Sequence, residues 1–346
     1  MSRGVRNSLS QKASAPSDVG GAGSTRETEA TAKKGDVQIT KMKHKLSITL
    51  ILLGMFLVTQ FIGIYIASVY GGVGDNLPFG IETPDDSQGQ NFGSLIISFI
   101  IAFSIIYIMI KYNWKVFMKV WFFLVIILAL AISFVAFLGI TNPYAPIIAL
   151  VVAIPLAYFK MFKPNMYTHN ITELLIYPGI ASVFIPILGP YSVIGLLVLI
   201  SYYDMWAVWK SGIMQKMARY QMEELKVFGG FLLPSASKKT RQEIKKIRQK
   251  YKGKKIPKKV ASKKFKVNLA ILGGGDVVFP IITAGVFMTA FNSIIPALFI
   301  IFGAFAGLSY LFANTTKGKS YPAMPYITIG IFVGLILWRL VAFPTI

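Results

Sequence analysis

Residues 267–290 read VNLAILGGGDVVFPIITAGVFMTA, an apolar stretch in which Asp276 is the one charged side chain. A helix needs about 20 predominantly apolar residues to cross a bilayer, so this stretch is long enough to span one. An ionisable side chain inside the hydrocarbon region is costly and marks a functional site by default. The stretch therefore predicts a membrane span that carries a functional carboxyl group.

Eight further apolar segments accompany this one along the chain of 346 residues. The segments at 144–159 and 171–188 are short and carry prolines, and we expect the second to be broken by Pro178 and Pro186. The pattern predicts an all-α, polytopic membrane protein with about nine transmembrane helices. The eight segments cover residues 46–70, 92–110, 120–140, 144–159, 171–188, 191–209, 294–312 and 325–343.

Basic residues are confined to alternate loops. Lys and Arg precede the first segment and follow the second, fourth, sixth and eighth, whereas the loops between carry none. Residues 210–266 alone hold 19 Lys and Arg against three Glu, which is most of the net charge of +22. By the positive-inside rule, the N-terminus is cytoplasmic and the C-terminus is extracytoplasmic. We expect the basic loop 212–266 to contact anionic lipid headgroups, and we expect no nucleic acid partner.

Composition divides the chain into three parts. Residues 1–40 are rich in Ser, Ala, Gly and charge, which predicts a disordered cytoplasmic tail. Residues 46–190 hold the first five helices, and residues 191–346 hold helices six to nine with the basic loop. The chain has no cysteine, which excludes disulfides, Cys-zinc sites and thiol nucleophiles. Its two histidines, His44 and His169, lie far apart at segment edges, and we expect both at headgroup level.

A second carboxyl group, Asp204, lies inside the sixth segment after Ser-Tyr-Tyr. Counted along helices from the basic loop, Asp204 lies about 9 Å and Asp276 about 15 Å into the membrane. Both carboxyls can therefore reach a common level in the inner half of the bilayer. Two neighbouring carboxyls share one proton, an arrangement that suits peptide hydrolysis without a metal or a cofactor.

Glycines and prolines flank these positions. Gly273, Gly274 and Gly275 each weaken a helix by about 1 kcal/mol relative to Ala, and they leave room for a substrate backbone beside Asp276. A helix-packing surface is the alternative reading of the glycines. The prolines of Pro322-Ala323-Met324-Pro325 remove backbone donors, which favours either a strand-like edge for substrate or an ordinary helix start.

Three short motifs in order resemble the GxGD family of aspartyl proteases, which includes presenilin and signal peptide peptidase. The family's Tyr-Asp, Gly-x-Gly-Asp and Pro-Ala-Leu motifs correspond to Tyr203-Asp204, Gly273-Gly274-Gly275-Asp276 and Pro322-Ala323-Met324. The resemblance implies a presenilin-like fold of a prokaryotic, archaeal-like kind and a catalytic pair, Asp204 and Asp276. It implies that Tyr203, Gly273, Gly274, Gly275, Pro322, Ala323 and Met324 shape the active site. Met324 replaces the family's leucine, a volume-conserving change that we expect to be tolerated with an altered substrate preference.

The function implied is an intramembrane aspartic endopeptidase that cleaves transmembrane helices or signal-peptide remnants in a prokaryotic plasma membrane. The sequence leaves open the orientation of the substrate and the oligomeric state, with a homo-oligomer among the alternatives. Two other functions stay open on the chemistry alone. One is a proton- or cation-coupled transporter that uses Asp204 and Asp276, and the other is a pseudo-enzyme that binds helices without cutting them.

Overall fold

The computed structural model describes residues 46–71, 76–82, 92–112, 114–163, 165–211, 229–236, 267–315 and 321–342. All of them belong to one compact unit, Thr40–Ile346. The predicted tail at 1–40, His44 and most of the loop 212–266 lie outside the described residues. Those predictions, and the division of the chain at residue 190, stay predictions.

The described residues form nine long helices, as the apolar segments predict. Seven of them (α1, α3 to α6, α8 and α9) are long and apolar enough to cross a membrane, and α7 is shorter at 17 residues. The fold class, a mostly helical polytopic membrane protein with about nine spans, is confirmed. The helices are α1 (Leu46–Gly71), α2 (Phe92–Lys111), α3 (Lys115–Leu138), α4 (Ala145–Phe162), α5 (Met166–Phe184), α6 (Pro190–Trp206), α7 (Gly274–Ala290), α8 (Ile294–Asn314) and α9 (Met324–Ala342).

Two short antiparallel strand pairs accompany the helices. Strands β1 (Asn76–Leu77) and β2 (Ile81–Glu82) form one pair, and β3 (Gly230–Ala236) and β4 (Val267–Gly273) form the other. The prediction that residues 267–273 belong to the seventh helix is wrong. Burial alternates along β4, with Ala270 and Leu272 buried and Ile271 exposed, as in a half-buried strand. Strand β3 supplies the backbone partners that a helix would otherwise provide.

Helix α5 runs through Pro178 to Phe184 and is not broken there, contrary to expectation. A proline removes one helical hydrogen bond and opens the turn that precedes it. In that turn, the carbonyl of Leu175 accepts a hydrogen bond from Ser133 Oγ of α3 at 2.6 Å. The carbonyl that loses its helical donor is that of Leu174, and the bond to the adjacent Leu175 ties α5 to α3 beside it. Pro186 lies in a 3₁₀ turn that follows the helix.

A hydrogen bond from a side chain to a carbonyl near a proline also ties α1 to α7. Pro280 lies inside α7, and the carbonyl of Val277, in the turn before it, accepts a hydrogen bond from Gln60 Nε2 at 3.0 Å. Gln60 belongs to α1 and is fully buried. Because Val277 directly follows Asp276, this bond anchors the segment of α7 that carries the candidate site residue.

One buried apolar core joins six of the helices. It includes residues of α1, α5, α6, α7, α8 and α9 together with the strand pair β3–β4. A second cluster, formed by α3, α4 and α5, packs beside it. Helix α5 contributes to both clusters, so it links the outer helices α3 and α4 to the core that surrounds Asp204 and Asp276.

Helices α8 and α9 pack backbone against backbone. A Cβ placed on Gly330 of α9 would collide with the carbonyl of Gly303 in α8, and one on Gly307 would collide with the carbonyl of Tyr326. Glycines at such contacts let two membrane helices approach more closely than larger residues do. The contact fixes α9, whose first residue is Met324.

We expect Gly330→Ala to destabilise the protein by about 1–3 kcal/mol, since the methyl group would overpack this helix contact. Gly54→Ala is the matched control, because a Cβ there meets nothing within 4 Å. The control is expected to be neutral or to stabilise α1 by roughly 0.5–1 kcal/mol. Thermal unfolding in detergent measures both variants, and equal midpoints for the two would contradict the close contact.

Candidate functional site

Helix α6 carries Asp204 near its C-terminal end. The side chain is buried, and its Oδ2 accepts a hydrogen bond from the backbone N–H of Met324 at 3.0 Å. The N–H of Ala323 is also directed at this carboxyl. After Trp206 the chain continues as one π-helical turn, Ala207–Ser211. Asp204 thus joins α6 to the first residue of α9 across the interior of the protein.

Helix α7 begins immediately after β4, without an intervening loop, and Asp276 is its third residue. Gly273 is the N-cap, and Asp276 accepts a hydrogen bond from its backbone N–H. A carboxylate in the first turn interacts favourably with the positive end of the helix dipole and satisfies an unpaired N–H group. The β4–α7 junction therefore holds the Asp276 side chain in a defined direction.

The two carboxyl groups lie near enough to each other to interact electrostatically. Segments that are 72 residues apart in sequence converge here, because α6 and α7 pack against each other and both contact α9. Ser201 Oγ of α6 lies 2.8 Å from Thr328 Oγ1 of α9, which fixes the same three-helix arrangement one turn away. The structure thus brings together Asp204, Asp276 and Met324.

The three glycines before Asp276 have different surroundings. A Cβ on Gly273 would lie 3.1 Å from Asp276 Oδ2, and one on Gly274 would lie 2.9 Å from the ring of Tyr177. Gly274 therefore permits close packing of α7 on α5. A Cβ on Gly275 would meet only Phe279, at 3.6 Å, and Gly275 is exposed. Gly275 is the glycine that leaves open space next to Asp276.

The segment Pro322-Ala323-Met324 lies against the pair. Pro322 and Met324 are buried, and Ala323 packs on the main core. Met324 opens α9 and Pro325 follows in its first turn, so the segment begins a helix in the way that prolines favour. The backbone N–H groups of this segment are directed at Asp204, which the sequence did not indicate.

Tyr203 precedes Asp204 on α6 and is half-exposed. Its side chain is 47% exposed, and its ring lies tilted against that of Trp206 with centroids 6.2 Å apart.

Polar residues of α1 and α5 surround the site and were missed by the sequence analysis. Gln60 bonds next to Asp276, and Tyr177 packs on Gly274. Glu173 and His169 are buried against protein one and two turns before Tyr177. Their spacing of four residues along one helix face was the available signal.

Comparison with known proteins agrees with this arrangement. A family model described as "Signal-peptide peptidase, presenilin aspartyl protease" matches residues 53–343. A search of curated proteins found no significant match. Two solved structures of a presenilin family intramembrane aspartate protease, in space groups P2 and C222, share this fold, each with a TM-score of 0.53. The P2 structure is 20% identical to this chain, and the match covers 86% of this chain and 97% of that one. The C222 structure is 19% identical, and the match covers 85% of this chain and 99% of that one.

The family match spans most of the chain, from α1 to the end of α9, and includes both aspartates. It indicates an intramembrane aspartyl protease and does not favour a transporter. Because the family model accounts for all the helices that build the site, this chain belongs to the signal-peptide peptidase and presenilin family of aspartyl proteases.

Proposed function

We propose that Asp204 and Asp276 are the catalytic pair with which this protein hydrolyses peptide bonds inside membrane-spanning helices. The observation that carries the proposal is the electrostatic contact between a buried carboxyl of α6 and the first-turn carboxyl of α7. A single carboxyl within a bundle is compatible with a structural or ion-binding role. Two that converge from separate helices provide the acid and the base that hydrolysis requires.

The proposed reaction uses one proton shared by the pair. The ionised carboxylate takes a proton from water as the water oxygen attacks the scissile carbonyl carbon. The protonated partner gives its proton to the carbonyl oxygen, which forms a tetrahedral diol. As the diol collapses, the aspartate that took the proton from water gives it to the leaving nitrogen, a diol hydroxyl gives its proton to the other aspartate, and the C–N bond breaks. The pair again holds one proton. Every proton moves between Asp204, Asp276, water and substrate.

An unwound substrate needs partners for its backbone groups, because the bilayer supplies none. Residues 321–323, which precede α9 and belong to no helix or strand, lie beside Asp204, and β4 leads directly to Asp276. Within the described residues, β4 pairs only with β3, so its second edge has no partner strand. We propose that the substrate is held by strand addition between these elements, with the exposed Gly275 as the point of closest approach.

The hydrogen bond from Met324 N–H to Asp204 is expected to contribute to cleavage. Met324→Pro removes this donor, and proline is tolerated at the first position of a helix. Met324→Ala is the control, because it removes the side chain and keeps the N–H group. A hydrogen bond to a charged group contributes about 1.5–3 kcal/mol, so kcat/KM should be roughly 10- to 150-fold lower for proline than for alanine. Equal values would show that the bond does not support catalysis.

Cleavage of a single-span reporter helix by the purified protein in liposomes tests the proposed function. Reporters of both membrane orientations are used, and mass spectrometry locates the cuts. Cuts inside the spanning segment that disappear in Asp276→Asn support the proposal. Intact reporters of both orientations, together with proton flux that depends on Asp204 and Asp276, would instead support the transporter.

The surroundings of the enzyme are proposals as well. The alternation of basic loops supports a cytoplasmic N-terminus and an extracytoplasmic C-terminus in a prokaryotic plasma membrane. The density of Lys and Arg at 210–266 supports contact with anionic lipids. Because one chain carries both aspartates and Met324, we propose that activity needs no second subunit, whether or not a homo-oligomer forms.

A further inference from the structure

Helix α5 directs a row of polar side chains at strand β3. His169, Glu173 and Tyr177 follow one another at intervals of four residues and so share one face, and Asn170 lies next to them. The side chains of His169, Asn170, Glu173 and Tyr177 are all buried. Burying this many polar groups within a membrane is costly unless each finds a partner. The hydrogen-bond partners of these side chains therefore indicate the role of this face of α5.

Three of these side chains bond to the backbone of β3. His169 Nε2 donates to the carbonyl of Gly230 at 2.8 Å, and the N–H of Gly230 donates to Glu173 Oε1 at 3.5 Å. Asn170 makes a two-point contact with Leu232. Its Nδ2 donates to the Leu232 carbonyl at 2.9 Å, and its Oδ1 accepts from the Leu232 N–H at 3.0 Å.

These hydrogen bonds satisfy the backbone N–H and C=O groups along one edge of β3. Backbone groups of alternate residues in a strand point to the same side, so Gly230 and Leu232 present their N–H and C=O groups to α5. The next residue on that edge, Pro234, has no N–H group. The residues between them face β4, in the register Phe231↔Leu272 and Leu233↔Ala270. Helix α5 therefore takes the place of a third strand next to β3.

A buried ion pair supports this face. Lys160 of α4 contacts Glu173 Oε1 at 2.6 Å, with both side chains almost fully buried. Lys160 Nζ also lies 3.4 Å from His169 Nδ1. A histidine that donates from Nε2 and accepts at Nδ1 is neutral, so both of its nitrogens are used. Lys160 thereby holds Glu173 and His169 in the directions that bind Gly230.

Strand β3 in turn determines where α7 begins. Gly230 is opposite Gly273, which is the N-cap of α7 and lies three residues before Asp276. Tyr177 of α5 reinforces the link, because its ring packs edge-on against Phe231 at 5.5 Å and touches Gly274. A displacement of β3 along α5 would move β4, and with it the first turn of α7.

We infer that His169, Asn170 and Glu173, supported by Lys160, are positioning residues that fix β3, and through β4 fix Asp276 relative to the substrate. The inference rests on the proposed function for the identity of the catalytic pair. It goes beyond that function because none of these four residues touches the reacting atoms. They act through the strand that they hold, and thereby select which peptide bond is presented to the pair.

Asn170→Ala tests the inference in the full chain. Thr172→Ala is the matched control, since Thr172 is equally buried on α5 and bonds only to carbonyls of its own helix, those of Thr168 and His169. We expect Asn170→Ala to lower kcat/KM of the reporter about 10-fold and to spread the cuts over neighbouring peptide bonds, since two bonds to β3 are lost. The control should keep the parent cut positions.

A second pair of variants provides a rescue. His169→Leu removes the donor to Gly230, whereas His169→Gln retains an N–H donor close to the position of Nε2. The expected result is scattered, slower cleavage for leucine and near-parent cleavage for glutamine. Identical cut positions and kcat/KM in Asn170→Ala, His169→Leu and Thr172→Ala would overturn the inference.

Hydrogen exchange separates this inference from the proposed function. Amides at 229–236 and 267–273 should exchange faster in Asn170→Ala than in the parent protein, and at the parent rate in Thr172→Ala. If the parent protein leaves every reporter intact, the proposed function fails, and faster exchange still supports the positioning of β4 and α7. Unchanged exchange in Asn170→Ala would overturn the positioning role.

Discussion

Asp204→Asn and Asp276→Asn are each expected to reduce cleavage of a spanning reporter helix to background. One carboxyl must accept a proton from water while the other donates one to the substrate, and an amide performs neither role. Loss of general acid–base catalysis alone costs about 10²–10⁴-fold in rate. Because both roles need the same shared proton, the double variant should be no slower than either single variant. Product formation measured by mass spectrometry over long incubation tests both points.

The same variants should retain the fold. Asn differs from Asp by one atom of similar size, and its carbonyl oxygen can still accept the hydrogen bond from Met324 at position 204. Unfolding midpoints close to that of the parent protein are therefore expected. Cleavage that survives in either folded variant would remove that residue from the catalytic pair.

Lys160→Met is expected to cause the largest loss of stability. It leaves Glu173 buried without its cation, and breaking one side of a buried ion pair costs about 3–5 kcal/mol. Exchanging both partners, as in Lys160→Met with Glu173→Gln, removes the stranded charge and should recover most of that loss. Glutamine also retains an oxygen that can accept from the N–H of Gly230.

A double-mutant cycle tests this coupling. It compares the thermal unfolding of the parent protein, Lys160→Met, Glu173→Gln and the double variant. A double variant that is more stable than Lys160→Met alone is the expected sign of a coupled pair. Losses that simply add would contradict the contact at 2.6 Å, since independent sites do not rescue each other.

The helices and the two aspartates were predictable because each follows from a local feature. Apolar runs of about 20 residues define the spans, and Asp204 and Asp276 stand out as isolated charges within such runs. The predicted positions of the helix ends were less accurate. Helix α5 begins at Met166, five residues before the predicted segment, and His169 and Asn170 in its first turns are polar but buried against protein.

Inaccurate segment ends explain why His169 and Lys160 were missed, whereas Glu173 lay inside the predicted segment 171–188. With the fifth span placed at 171–188, His169 belonged to a loop and Lys160 to the basic residues of the loop before it. The structure places Lys160 in α4 and His169 in α5, where both are buried. Hydropathy reports average transfer energies and does not register that Lys160 and Glu173 neutralise each other across two helices.

The strand pair could not be predicted for a different reason. A short apolar run such as 267–273 is compatible with either a helix or a strand. Its partner, β3, lies beyond a long basic segment, and pairing between strands so distant in sequence leaves no local signal. The hydrogen bonds from α5 that favour the strand are likewise invisible without the fold.

The register of β3 on β4 has a practical consequence for protein engineering. Ala236 and Val267 are paired, so the two ends of the intervening segment, 237–266, are held side by side. The entropy of closing a loop grows only with the logarithm of its length, about 0.6 kcal/mol for each doubling. A fluorescent or affinity module with closely spaced termini, placed between Ala236 and Val267, should therefore be accepted without disturbing the distance between Asp204 and Asp276.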